Sequence, residues 1–282
     1  MPGYRQGHGV LITVVGDRIE GEFVQNKLHG SVIAAYANGS SYEGIFSDGL
    51  YHGMGELHYP DGSVYVGSFI AGVRSGNGEL RRSNGESYMG SWLNDGANGH
   101  GVQKLANGTS YEGEFRNGQY HGTGKLSDAD GLSGYEGDFV SGRVHGRGVW
   151  RRKDGSVVTG EFQNGVPHGE VVETFADGSR YEGHYEHGQC DGAGVLSTTI
   201  NDKSARYEGR FKAGRFHGQG KLLVDGIELV GEFREGKVYQ ARVQSQDGSL
   251  WEVDREAGTA YLIREDGVRI GAHDSNDLFQ GI

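Results

Sequence analysis

A tyrosine followed two residues later by glycine returns at Tyr42, Tyr65, Tyr88, Tyr111, Tyr135, Tyr181 and Tyr207, with Ile19, Val158 and Leu229 in the same slot of degenerate copies. Counted from Ile19, the steps are 23, 23, 23, 23, 24, 23, 23, 26 and 22 residues, so ten copies share one frame. A unit this short cannot enclose a core of its own. It becomes stable by stacking on its neighbours, which makes the chain a repeat array.

Other slots hold the same register. Every copy has glycine two residues after the first slot, from Gly21 to Gly231, and an aromatic four residues after it, from Phe23 to Phe233. A His-Gly-x-Gly cluster follows, with His29, His52, His121, His145, His168 and His217 in its first position. Copies close on Asn-Gly or Asp-Gly pairs such as Asn38-Gly39, Asp61-Gly62, Asn84-Gly85 and Asn107-Gly108. Such pairs predict type I′ hairpin turns there, because both central residues of that turn need positive φ. Each copy therefore reads as strand, loop, strand, turn.

In Tyr111-Glu-Gly-Glu-Phe115, alternation puts Tyr111, Gly113 and Phe115 on one face and Glu112 and Glu114 on the other. In the second strand, Gly122, Gly124 and Leu126 join the ring face, and Thr123 and Lys125 the opposite one. The expected fold class is all-β: an elongated, twisted antiparallel β-meander of about ten hairpin repeats. Residues 1–236 form the array. Residues 237–282 leave the frame, and Asp247-Gly248 and Asp266-Gly267 predict two capping hairpins before the tail.

Composition narrows the function. The chain has 53 Gly but only 3 Pro, which excludes collagen, and its 15 Tyr, 11 Phe and 3 Trp argue against a disordered linker. A net charge of −11 disfavours nucleic acid, which needs clustered cations. Cys190 is the only cysteine, so no disulfide framework forms within the chain, which suits a reducing compartment. The N-terminus does not read as a signal peptide, and no segment is apolar enough to span a membrane. The sequons at Asn38 and Asn107 are then simply turns.

The segment Tyr-Glu-Gly-Glu-Phe-x-Asn-Gly-x-x-His-Gly-x-Gly, as it stands at 111–124, resembles the membrane occupation and recognition nexus (MORN) repeat, and the resemblance covers about residues 3–236. It implies a β-meander scaffold at cytoskeletal, ciliary or membrane-junction structures, with a motor-tail or other peptide segment held along an aromatic groove. It also implies self-association through a terminal repeat in some relatives, and lipid binding only weakly. Departures are the first copy, which begins mid-repeat at Gly3, the insertion Ser197–Arg206 with Asp191 in the histidine slot, and the last copy, which lacks His-Gly-x-Gly. The catalytic domains fused to some relatives have no room in this chain.

The expected partner groove consists of Tyr42, Phe46, Tyr65, Phe69, Tyr88, Trp92, Tyr111, Phe115, Tyr135, Phe139, Phe162, Tyr181, Tyr185, Tyr207 and Phe211. Aromatics are favoured interface anchors. The plainer reading is that these rings hold adjacent repeats together, and the two are compatible if ring edges stay exposed. Arg81, Arg82, Arg151, Arg152 and Lys153 stand out against the acidic background. They read as solvated strand ends or, alternatively, as contacts for an acidic partner or a phosphoinositide headgroup. An apolar first strand, Val10–Val15, invites pairing with a second copy.

Catalytic and metal readings fare worse. Equivalent histidines in neighbouring copies would sit two strands apart, too far to share a zinc ion. Gly118 to Lys125 imitates a phosphate-binding loop but belongs to the repeat. Nothing beside Cys190 would orient it as a nucleophile. The expectation is a non-catalytic cytoplasmic scaffold without cofactor or metal, binding a cytoskeletal or motor segment, with a peripheral membrane module as the alternative.

Overall fold

The computed structural model describes residues 4–200, 202–257, 259–263 and 269–274, with 270–274 as backbone only. The described residues contain strands and turns and no helix. They form two compact units, Met1–Arg143 and Val144–Ile282.

The first unit holds β1 (Gly7–Ile12), β2 (Arg18–Val24), β3 (Lys27–Ala35), β4 (Ser41–Ser47), β5 (Leu50–His58), β6 (Val64–Ile70), β7 (Val73–Arg81), β8 (Ser87–Leu93), β9 (Gly96–Lys104), β10 (Ser110–Arg116), β11 (Gln119–Ser127) and β12 (Gly134–Val140). The second holds nearly all of β13 (Arg143–Arg151), then β14 (Val157–Gln163), β15 (Val166–Thr174), β16 (Arg180–Glu186), β17 (Gln189–Ile200), β18 (Lys203–Lys212), β19 (Arg215–Val224), β20 (Ile227–Arg234), β21 (Lys237–Gln244), β22 (Leu250–Asp254), β23 (Thr259–Ile263) and β24 (Arg269–Asp274). Within each unit every strand pairs antiparallel with the next, so each is a meander with two strands per repeat. The cap continues the same sheet through β20–β21–β22. Of the two expected capping hairpins, the turn at Asp247-Gly248 is present, and Asp266-Gly267 lies outside the described residues.

The expected type I′ turn forms at Asp225-Gly226, where φ is 48° and 80° and Val224 pairs with Ile227; at the closing pairs of the regular copies the turns are the reverse of the sequence expectation. At Asn38-Gly39 only Gly39 has positive φ, at 90°. Gly39 N–H donates to the Tyr36 carbonyl at 2.9 Å, and Tyr36 N–H donates to the Ser40 carbonyl at 2.9 Å. This is a type I turn closed by a glycine bulge. The Asn38 side chain accepts from Ser40 N–H at 2.9 Å, which fixes the bend. The type I′ geometry lies at the other end of each hairpin, in what had read as the loop. Asp48 and Gly49 (φ 51° and 84°) join Ser47 to its partner Leu50, and Asn117 and Gly118 (51° and 75°) join Arg116 to Gln119. A turn of the bulged kind also ends β1 early: Thr13 N–H donates to the Asp17 carbonyl at 3.0 Å, and Gly16 has φ 98°. Val14 and Val15, expected in the first strand, are instead exposed turn residues.

A second correction concerns the first glycine of His-Gly-x-Gly. Gly113 pairs with Gly124, but Glu114 then pairs with His121, leaving Gly122 and Thr123 as a bulge in β11. Gly122 has φ +57°, and a Cβ built there would lie 2.4 Å from Glu114 Oε2. Its open side therefore faces the glutamates and not the rings. Gly124 and Leu126 take the ring side as expected, and Lys125 pairs with Glu112.

Candidate partner-binding face

The ring face is built from a glycine pair. Gly113 and Gly124 face each other, and a Cβ on Gly124 would lie 2.3 Å from the Tyr111 hydroxyl. The missing side chains make a slot, and the Tyr111 ring lies in it. The phenol then donates to the Glu114 carbonyl at 3.0 Å. The same bond runs from Tyr42 to Ile45, Tyr65 to Ser68, Tyr88 to Ser91, Tyr181 to His184 and Tyr207 to Arg210.

Rings then interlock along each unit. Tyr111 meets Phe115 of its own copy and Phe139 of the next, both edge-on at 5.1 Å. Tyr88 bridges Trp92 (5.0 Å) and Phe115 (4.9 Å), and Tyr181 bridges Tyr185 (5.4 Å) and Phe211 (5.0 Å). Each such pair adds roughly 0.5–1.5 kcal/mol beyond its area burial.

The cost to the groove expectation is direct. Tyr42, Phe46, Tyr65, Phe69, Tyr88, Trp92, Tyr111, Phe115, Tyr135, Phe139, Phe162, Tyr181, Tyr185, Tyr207 and Phe211 are all buried, none more than 6 % exposed. They are the core, and they present no open ring edge to a ligand. What covers them is a second layer that sequence reasoning passed over. In the first unit, Tyr51 stacks on Tyr42 at 3.9 Å and donates to the Tyr36 hydroxyl at 2.8 Å. Tyr120 stacks on Tyr111 at 3.8 Å. The Arg74 guanidinium lies 4.3 Å from the Trp92 ring centroid and is held by Asp95 at 2.9 Å. Tyr36, Tyr51, Tyr59, Arg74 and Tyr120 are half-buried, so they form the accessible surface of this face. The signal was the residue before each His-Gly, which register places directly opposite the buried phenylalanine, as Tyr51 opposite Phe46.

The basic doublets are not patches. Neighbours on a strand point to opposite faces, so Arg81 and Arg82 diverge, as do Arg151 and Arg152. Arg81 is held by Glu79 at 2.7 Å, Arg82 lies 3.7 Å from Glu86, and Arg152 pairs with Glu173. Arg151 and Lys153 are exposed and have no ion-pair partner among the described residues.

Glu173 is the site that sequence reasoning missed. It is 3 % exposed on the ring face of the second unit, where it accepts from Arg152 and from the Tyr185 hydroxyl. Register puts it between Val158 and Tyr181, in the slot that Leu57, Leu80, Leu126, Leu196 and Leu222 fill in other copies. Cys190 is half-buried beside Tyr185, its register partner. Burial raises its thiol above the ordinary value, which keeps it protonated and a poor nucleophile. His29 and His52 are exposed, and His121, His145, His168 and His217 are half-buried. Among the described residues no three His, Cys, Asp or Glu side chains converge on a metal-sized space.

Burial pushes the phenols of Tyr42, Tyr65, Tyr88, Tyr111, Tyr135 and Tyr207 up to about 12. Unfolded tyrosine ionises near pH ~10. The folded state thus holds these protons longer than the unfolded one, so their stabilisation is complete below pH ~10 and drains away between about 10 and 12. Tyrosinate absorbance and circular dichroism, followed together in an alkaline titration, should show most phenols ionising only as the sheet melts. Ionisation of all fifteen tyrosines near pH ~10 with the strands intact would contradict the burial.

Comparison with known proteins gives the MORN repeat family model matching residues 20–41, 42–64, 65–87, 88–110, 111–133, 135–157, 159–180, 181–202 and 207–226. No curated protein matches. Among solved structures, the TCP10 domain of Danio rerio CPAP in complex with a STIL peptide is similar at 13% identity, covering 97% of this chain and 96% of that one, with a TM-score of 0.23. The SAS-4 TCP domain of Drosophila melanogaster, in complex with a proline-rich motif of Ana2, has 13% identity, coverage of 64% and 90%, and a TM-score of 0.26. Virginiamycin B lyase of Staphylococcus aureus has 13% identity, coverage of 98% and 86%, and a TM-score of 0.16. TM-scores this low carry no argument about this chain.

Proposed function

The chain belongs to the MORN repeat family, and from that premise we propose that it is a non-catalytic scaffold that binds a protein partner across the second layer of its ring face. The observation that carries this reading is the half-buried row Tyr36, Tyr51, Tyr59, Arg74 and Tyr120. Tyrosine and arginine are the residue types most enriched where binding energy concentrates, and here their orientations are already fixed by the core beneath them. The resemblance to scaffolds makes a cytoskeletal or motor segment the partner class, and the lone Cys190 fits a cytoplasmic setting. A headgroup-binding role has less support, because each arginine doublet divides its charge between two faces.

The test is cross-linking mass spectrometry of the full chain with its captured partner, followed by substitution. Tyr59→Ala and Tyr120→Ala should weaken binding about tenfold or more, as truncating interface anchors does. Val66→Glu and Met89→Glu on the opposite face should leave it unchanged. Binding should survive about 0.5 M salt, where screening shortens the Debye length to a few Å. Cross-links concentrated on the glutamate face, or the reverse pattern of losses, would replace this reading.

A further inference from the structure

The copy that departs most from the repeat builds something the others lack. β17 and β18 run to 12 and 10 residues, against 9 and 7 for β15 and β16, because the insertion prolongs their hairpin to the pair Ile200–Lys203. Ile200 thereby becomes one wall of a recess of about 240 Å³ on the ring face of the second unit, completed by Phe216, Leu222 and Val238. Lys237 and Arg255 line the same recess and are exposed. Among the described residues neither cation has an ion-pair partner. Of the acids adjacent in sequence, Glu235 is taken by Arg215 at 3.0 Å, whereas Glu256, next to Arg255, is exposed and forms no ion pair among the described residues.

Two exposed cations with no ion-pair partner among the described residues, beside an apolar recess, point to the occupant. We propose that this recess is a docking socket for an acidic peptide segment that inserts one large apolar side chain and sets its flanking carboxylates against Lys237 and Arg255. The volume falls below the roughly 300–1,000 Å³ of sites for drug-sized ligands, so it suits a single side chain and not an acyl chain. Flanking carboxylates supply the complementary charge and steer approach. This inference rests on the partner-binding reading above and specifies the partner's chemistry at one place on the ring face of the second unit.

The probes are fluorescein-labelled peptides of pattern Asp-Glu-Leu-Glu-Asp, the same peptide with Leu replaced by Ala, and one with the acids replaced by Lys, titrated into the full chain by anisotropy. The leucine peptide should bind about tenfold or more tightly than either control, the scale of a buried anchor with its flanking charges. The double variant Lys237→Glu/Arg255→Glu, whose side chains are exposed and make no ion pair among the described residues, should lose about tenfold or more with unchanged circular dichroism. Ile200→Ser should erase the preference of leucine over alanine. Equal binding of the leucine and alanine peptides overturns the socket, as does no binding at all. Binding of phosphatidylserine vesicles that is lost in the double variant, without peptide binding, overturns it in favour of lipid. If the captured partner still cross-links to the ring face of the double variant with undiminished affinity, the socket fails while the scaffold reading stands. Cross-links away from the ring face in every variant would remove the scaffold reading itself.

Discussion

Gly124→Ala should lower the stability of the first unit by about 3 kcal/mol or more, the upper end of what overpacking a filled core costs. The new Cβ would lie 2.3 Å from the Tyr111 hydroxyl and 2.5 Å from its Cζ. That ring cannot step aside. It is fully buried, stacked on Tyr120 at 3.8 Å and flanked edge-on by Phe115 and Phe139. Nor does the backbone explain the glycine, since Gly124 is not among the residues with positive φ. Gly118→Ala is the contrast: φ is +75° and nothing lies within 4 Å of the added atom, so only the left-handed backbone is penalised, by about 1–2 kcal/mol. Urea melts of both variants separate the two kinds of glycine. A cycle with Tyr111→Leu decides the mechanism: in that background the cost of Gly124→Ala should fall below about 1 kcal/mol, because the clashing atoms are gone. Strict additivity would mean that the tyrosine is not what excludes the side chain.

Most of the fold was legible because its signals are short-range. Period two within a strand and a near-constant 23-residue step between copies are enough to place Tyr111, Gly113 and Phe115 on one face and to pair successive strands. Turn type was not legible from the dipeptides, because Asn-Gly or Asp-Gly pairs occur at both ends of the hairpins. Asp48-Gly49 closes a two-residue connection with both residues at positive φ. Asn38-Gly39 closes a longer one, and the difference lies in which N–H reaches back across the loop. The groove was misjudged for a different reason. A periodic row of rings looks the same whether it lines a surface or fills slots between facing glycines. Only the pairing of Gly113 with Gly124, which depends on register, shows that the slot is the width of the ring that occupies it. The split of the arginine doublets, by contrast, follows from the alternation already used for the rings. Glu173 too was open to a comparison of copies, as a carboxylate in a leucine slot.

That carboxylate gives the second large effect. Arg152→Ala should cost the second unit about 3–5 kcal/mol, the usual consequence of stranding one member of a buried ion pair. Glu173 is 3 % exposed and would keep only the Tyr185 hydroxyl as donor. Glu173→Leu should behave oppositely although it destroys the same pair. Exchanging buried ionic groups for apolar side chains is often neutral or stabilising by about 1–4 kcal/mol, and leucine is what this slot holds in five other copies. Arg152, with 30 % of its side chain exposed, can turn to water. The remaining debit is the Tyr185 hydroxyl, 2 % exposed, which loses its carboxylate acceptor and keeps only the weak Cys190 sulfur, worth about 1–3 kcal/mol. Glu173→Leu alone should therefore sit near the parent, and Glu173→Leu/Tyr185→Phe above it. Arg152 also lies 5.1 Å from the Trp150 ring centroid, so part of the Arg152→Ala loss could be stacking alone. Repeating Arg152→Ala in the Glu173→Leu background separates the two: a cost that drops below about 1 kcal/mol assigns the effect to the stranded carboxylate, whereas an undiminished cost assigns it to the tryptophan and removes Glu173 from the account.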